Sequence, residues 1–229
     1  MSLKNPRGDM YPFVDWLWNP IRGRCQHDCS YCYVKRIVKR FRREQAEPHL
    51  VETELRANLG RFGVIFVCSG CDLFASDILD EYIIEVVAHT QRFPDNIYLL
   101  QTKNPQRIVS SSFGISSGLH QICTTVETNR WVPGVMGKAP PTSLRALAMA
   151  RLAEQGYVTS ITVEPIIDFD LEKMLQLIRM TKARQVNIGA DSGKNNLPEP
   201  PKEKILELIA ELEKFTQVVQ KKNLGRLTT

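Results

Sequence analysis

The sequence predicts an α/β fold in one domain, residues 1–229: a parallel sheet with outer helices, curved into a partial, TIM-like (β/α)6 barrel. Three observations carry that expectation. Short runs rich in β-branched and aromatic residues alternate about six times with amphipathic helical patterns, the mark of repeated βα units. The runs are apolar on consecutive positions, which suits strands covered on both faces, as parallel strands are. The length of 229 residues is slightly short of the roughly 250 that a closed eight-unit barrel takes.

In chain order, the first strand is expected from Phe13 to Trp18, followed by runs at Val64 to Cys68, Ile97 to Gln101 and Ile122 to Val126. Two more follow at Ser160 to Val163 and Gln185 to Ile188, with a short seventh near Val218 and Val219. The first helix is expected from about Ser30 to Glu44, burying Val34, Ile37, Val38 and Phe41 at helical spacing. Similar stripes run through Leu79, Tyr82, Ile83, Val86 and Val87, through Leu171, Met174, Leu175 and Ile178, and through Ile205, Leu208, Ile209 and Leu212. Ser76 or Asp77, Thr142 or Ser143, and Asp170 stand where helix caps are expected. The loop-like stretches 110–118, 131–143 and 191–201 interrupt the alternation without breaking it, so they read as connections and not as linkers.

Composition narrows the class. Hydrophobic residues make up 43% and charged ones 24%, ordinary globular usage that excludes disorder for the bulk of the chain. The longest apolar stretch, about Phe62 to Cys68, falls far below the ~20 residues of a membrane-spanning helix. Residues 1–6 lack the apolar centre of a secretory signal, so a cytoplasmic location is expected. The net charge of +5 is concentrated in Lys35, Arg36, Lys39, Arg40, Arg42 and Arg43, while the rest of the chain is about neutral. With the apolar stripe of the first helix buried, Lys35, Arg36, Lys39, Arg40 and Arg43 face outward, either as a nucleic-acid contact or as an ordinary solvated exterior.

Six cysteines are too few for a disulfide scaffold, so their spacing matters more than their number. Cys25, Cys29 and Cys32 form C-x3-C-x2-C in a polar loop just after the first strand. Thiolates select zinc or iron–sulfur clusters, and three from one loop leave a coordination position for something else. By spacing alone, a structural zinc completed by His27 or by a distant ligand such as Cys68 or Cys71, which form a second C-x2-C, is a competing reading.

The loop, with aromatic Tyr31 before its last cysteine, resembles the signature of the radical S-adenosylmethionine superfamily. Further blocks lie between residues 18 and 193: Trp18-Asn19-Pro20, Val67 to Phe74, Leu100 to Pro105, Val126 to Asn129, Val163-Glu164-Pro165 and Gly189 to Gly193. In their order they are similar to a phage-associated branch described as a domain of unknown function. The resemblance implies a 4Fe-4S cluster held by Cys25, Cys29 and Cys32, with S-adenosylmethionine chelating the fourth iron. One electron, from a donor such as flavodoxin or ferredoxin, then gives methionine and a 5′-deoxyadenosyl radical that abstracts hydrogen from a substrate. The protein's part is to bind, orient and exclude water.

Polar residues at the C-terminal ends of parallel strands face the mouth of such a barrel. Ser69, Gly70 and Asp72 stand where the superfamily has a Gly-Gly-Glu-like turn for the methionine amino group, a pattern this sequence departs from; Asp72 also reads as a helix cap. Thr125, Glu127 and Asn129 resemble ribose or carboxylate contacts, or plain loop polarity. Lys103 suits the carboxylate of S-adenosylmethionine and Glu164 ends its own strand; the two also read as an ion pair with each other. Cys68 and Cys71 read as small packing residues, with a second cluster, disulfide exchange or hydrogen-atom donation as alternatives, and Cys123 reads as core. Two other functions compete: a zinc-stabilised nucleic-acid-binding protein using the basic helix, and a cluster-bearing homologue that only transfers electrons.

Overall fold

The computed structural model describes residues 3–6, 8–42 and 44–229. Its elements are β1 (Trp16–Trp18), β2 (Ile21–Arg22), α1 (Tyr33–Arg40), β3 (His49–Leu50), β4 (Val64–Val67), α2 (Asp80–Gln91), β5 (Ile97–Gln101), α3 (Gln106–Val109), β6 (His120–Thr125), α4 (Pro133–Met136), α5 (Thr142–Glu154), β7 (Val158–Val163), α6 (Leu171–Met180), β8 (Gln185–Ile188), α7 (Lys202–Leu212), β9 (Gln217–Gln220) and α8 (Gly225–Thr228). Seven strands form one sheet in the order β1-β4-β5-β6-β7-β8-β9, every pair parallel. Among the described residues β1 and β9 do not pair, so the barrel is open, as expected of six βα units. The short antiparallel pair β2–β3 stands apart from the sheet.

Strand alternation sorts side chains onto two faces. Outward, Ile65, Val67, Leu100, Ile122, Val163 and Ile188 join the apolar stripes of the helices in the main core. Inward, Phe66, Leu99 and Cys123 meet Tyr11 and Val14 from the N-terminal segment in a second, smaller cluster. That segment plugs the barrel. Tyr11 is buried, stacks on Phe13 at 5.3 Å between ring centroids, and donates its hydroxyl to Gln101 Oε1 at 2.7 Å. The plug explains why β1 begins at Trp16: Phe13 and Val14 turn inward to fill the interior instead of extending the sheet edge. Lys4 pairs with Leu17 through two backbone hydrogen bonds, laying the N-terminal arm on the free side of β1.

Other sequence expectations are corrected. The N-cap residues of α2 and α5 are Leu79 and Pro141; Asp170 does precede α6, but its carboxylate serves Arg130 and Asn129. Helix α1 is eight residues long and has no buried residue; it ends where Arg42 takes a left-handed φ of +48°. Its expected buried stripe is half in solvent, with Ile37 43% and Phe41 57% exposed; Arg36 donates to Ser192 O in the loop after β8 at 3.4 Å. Arg43, counted among its outward cations, lies outside the described residues. Trp18 is core, donating its indole N–H to Glu54 O at 3.2 Å. No helix among the described residues is long and apolar enough to cross a membrane.

Candidate active site

The C-terminal ends of the strands open on a cavity of about 1030 Å³, and the cysteine loop forms part of its wall. Cys25, Cys29 and Cys32 all line it. Two tight turns bring them there: Asp28 N–H to Cys25 O at 3.4 Å, with Asp28 at φ +54°, and Cys32 N–H to Cys29 O at 3.3 Å. The segment around α4 braces the loop from behind. Ser30 N–H donates to Val135 O at 3.0 Å, Lys138 N–H to His27 O at 2.7 Å, and the Cys29 thiol to Met136 O at 3.4 Å. This close approach requires Gly137, whose φ is +61° and whose added Cβ would stand 2.2 Å from His27 O.

From the front, His27 Nε2 meets Asp72 Oδ2 at 2.8 Å. Asp72 also accepts the backbone N–H groups of Lys103 at 2.7 Å and Phe74 at 2.9 Å, so its oxygens are committed to the scaffold although it faces the cavity. Burial pushes the Asp72 carboxyl up, but His27 more than offsets this and leaves it below its usual value; His27 is raised by the same pairing against its own burial. Asn19 Oδ1 accepts from Ser69 Oγ and Gly70 N–H, each at 3.1 Å, which shapes the turn after β4. In that turn the free Cys71 thiol donates a hydrogen bond to Cys25, lowering Cys25 to about 6 and raising Cys71 itself; Cys68 is pushed up to about 12 by burial. Among the described residues no three His, Cys, Asp or Glu side chains are grouped to hold a single metal ion.

Beside the loop, and joined to it through Tyr31, lies a buried ionic cluster. Tyr31 donates its hydroxyl to Glu127 Oε1 in a short hydrogen bond, and Arg145 donates to Glu127 Oε2 at 2.8 Å. Lys103 Nζ lies 4.0 Å from Glu127 Oε1, 3.3 Å from Thr125 Oγ1 and 5.3 Å from the centre of the Tyr31 ring. Tyr31, Lys103 and Thr125 line the cavity, whereas Glu127 lies behind them, fully buried. Burial raises the Glu127 carboxyl, and Arg145 and Lys103 overcome that to hold it below its ordinary value.

On the far wall Glu164 faces the cavity, accepting from Lys221 Nζ at 2.5 Å and Asn223 Nδ2 at 3.0 Å. Burial raises its carboxyl, and Lys221 counters only in part. Lys103 and Glu164 are therefore not an ion pair; each has its own partner, Glu127 and Lys221. Asn129 is not brought to the cavity. It exchanges hydrogen bonds with Asp170, at 3.1 Å to the carboxylate and 2.8 Å from the backbone N–H, and so fixes the start of α6. The sequence reading missed Arg145, Lys221 and Gly137. Only Arg145 left a signal, as the one charged residue in the run Leu144 to Ala150.

Residues 10–204 match the family model described as Protein of unknown function (DUF5131). No curated protein sequence matches the chain. Solved structures of spore photoproduct lyase share the fold at 12% identity. A cysteine-to-serine mutant superposes with a TM-score of 0.63 over 95% of this chain and 79% of that one. The lyase complexed with dinucleoside spore photoproduct gives 0.62 over 93% and 78%. A double mutant with AdoMet and the same dinucleoside bound gives 0.57 over 91% and 64%.

Proposed function

We propose that this chain, which belongs to the DUF5131 family, is a radical S-adenosylmethionine enzyme whose cofactors occupy the cysteine-walled cavity. One observation carries the reading: all three cysteines of the C-x3-C-x2-C loop line one cavity at the C-terminal ends of an open parallel sheet. The fold is shared with lyase structures, one of which holds AdoMet. The donor set fits a 4Fe-4S cluster, since soft thiols select iron–sulfur chemistry and three of them leave one position for a second ligand. Cys25, Cys29 and Cys32 would hold it.

When bound, the cluster supplies the electron that cleaves S-adenosylmethionine into methionine and a radical able to abstract hydrogen. The chain's own residues bind and orient. Lys103 offers an ammonium to a carboxylate, and Thr125 and the Glu127 side chain keep it in place. Tyr31, held by Glu127, which Arg145 fixes in turn, presents a fixed ring beside the cysteines. Ser69 and Gly70 give the turn that meets the amino group, with Asp72 setting its shape and field. Glu164 supplies a carboxylate on the opposite wall. The Tyr11 plug fills the barrel interior and keeps water from entering below. Oxygen-sensitive chemistry suits a reducing compartment, so we place the enzyme in the cytoplasm with flavodoxin or ferredoxin as electron donor.

The test is anaerobic reconstitution followed by dithionite and S-adenosylmethionine. About four irons per chain and release of 5′-deoxyadenosine and methionine are expected, with iron lost in Cys25→Ala, Cys29→Ala or Cys32→Ala. Stoichiometric zinc without iron uptake overturns the reading in favour of a structural metal. A loaded cluster that leaves S-adenosylmethionine intact under strong reduction overturns it in favour of electron transfer alone.

A further inference from the structure

Nothing in the radical chemistry calls for the surface that α1 presents. Tyr33, Ile37 and Phe41, one helical turn apart, are 43%, 43% and 57% exposed and make one continuous ridge. Val34 and Val38 on the adjoining edge are half-buried and anchor the helix. Exposed apolar side chains in an unbroken row, rimmed by charge, mark an interaction surface more than a solvated exterior.

The rim is cationic. Arg36, Lys39, Arg40 and Arg42 are exposed, and among the described residues none of them is in an ion pair. Lys35 differs: it is spent on Asp28, 2.6 Å from the carboxylate. The Arg40 guanidinium sits 5.7 Å over the Phe41 ring, so cation and aromatic are interleaved at the outer end. At the inner end Tyr33 is pinned at the lip of the cavity by donating to Ser69 O at 2.8 Å. Tyr33, Arg36 and Ile37 line the cavity, so the ridge starts inside the proposed active site and runs outward.

We propose that α1 docks single-stranded nucleic acid, with bases stacked on Tyr33 and Phe41 and phosphates held by Arg36, Lys39, Arg40 and Arg42. The strand then enters the cavity over Ile37. Single strands are bound by this combination of aromatic faces and a basic track, whereas a duplex hides the faces of its bases. An acidic protein would account for the cations but not for an aromatic ridge that ends in a cavity. At about 1030 Å³ that cavity lies at the top of the ~300–1,000 Å³ range of small-molecule sites, which leaves room for one nucleotide beside a cofactor. As a statement about substrate class this rests on the radical reading; as a statement about binding it does not.

The experiment is fluorescence anisotropy on reconstituted protein with a labelled oligo-dT of about 15 nucleotides, the matching duplex, and phosphatidylserine vesicles as competitor, at about 50 and 200 mM salt. Affinity for the single strand should fall at least about tenfold over that salt range and by a similar factor in Lys39→Glu/Arg40→Glu. Phe41→Ala should weaken single-strand binding about five- to a hundredfold and leave weak duplex binding unchanged, a loss that charge alone does not produce. Lys182→Glu/Lys214→Glu, on a distant surface, is the control and should bind normally. Equal affinity for duplex and single strand, no effect of Phe41→Ala, or displacement of the oligonucleotide by vesicles would each overturn the proposal. Circular dichroism and iron content verify each variant; if the charge reversal fails to fold, Phe41→Ala and the salt slope carry the test. Release of 5′-deoxyadenosine without oligonucleotide tests the radical reading separately, so either can fail while the other stands.

Discussion

Asp72 and His27 form a nearly dry pair, Nε2 to Oδ2 at 2.8 Å with side chains 9% and 6% exposed, and it joins the cysteine loop to the turn after β4. Because Asp72 also takes the Lys103 N–H, one carboxylate sets the relative positions of the cysteine loop and of Lys103, whose ammonium lies over the Tyr31 ring of that loop. Asp72→Asn keeps the size and removes the charge. It should leave far-ultraviolet circular dichroism unchanged while iron retained after reconstitution falls by more than half. Full iron loading in this variant would mean the backbone turns alone position the cysteines.

The Glu127–Arg145 pair is fully buried on both sides and should behave asymmetrically. Arg145→Met strands the carboxylate with Lys103 at 4.0 Å and should cost about 3–5 kcal/mol in urea unfolding. Glu127→Leu/Arg145→Met, which removes both charges, should recover most of that loss while still weakening S-adenosylmethionine binding, because Tyr31 no longer has its acceptor. If the double variant is as unstable as the single one, packing around Arg145 and not charge compensation is what matters.

Gly137 makes a sharper case. An alanine there meets His27 O at 2.2 Å and holds a positive φ, so either α4 or the cysteine loop must move. Gly137→Ala should therefore lose iron uptake about as completely as a cysteine variant, although it removes no ligand. Gly134→Ala, nearby and with open space around it, is the matched control and should load normally.

What could be read from the sequence follows from the range of each interaction. Buried parallel strands carry unbroken apolar runs, so β4 and β5 stood out locally, and the cysteine spacing lies within one loop. The site's polar pairs do not. Glu164 and Lys221 are 57 residues apart and Tyr31 and Glu127 are 96 apart, so pairing Lys103 with Glu164 was as reasonable from sequence as the arrangement found. Helix α1 misled for a different reason: an apolar stripe at helical spacing says which residues share a face, but not whether anything covers it. Phe13 and Val14 misled likewise, since an apolar run ending in a strand is indistinguishable from one that turns in to plug the barrel.

His120 gives a pH dependence of definite sign. Its ring is buried, with Nε2 at 2.9 Å from Thr90 Oγ1 and the Ser116 N–H donating to Nδ1 at 3.0 Å. Thr90 spends its own proton on Val87 O at 2.6 Å, so Nε2 carries the ring hydrogen and Nδ1 is the acceptor of a neutral imidazole. Burial lowers its pKa from 6.5 to about 4, so between those values the unfolded chain is protonated and the folded chain is not. Protons then favour unfolding. Stability is intact above about pH 6.5 and falls as the pH drops toward 4, by about 3 kcal/mol for this group. Other side chains titrate in the same window, so the quantity to measure is the difference between wild type and His120→Gln in urea midpoints at about pH 7.5, 6 and 4.5. The wild type should lose stability faster than the variant across that series, and parallel curves would show that the imidazole is charged in the folded protein.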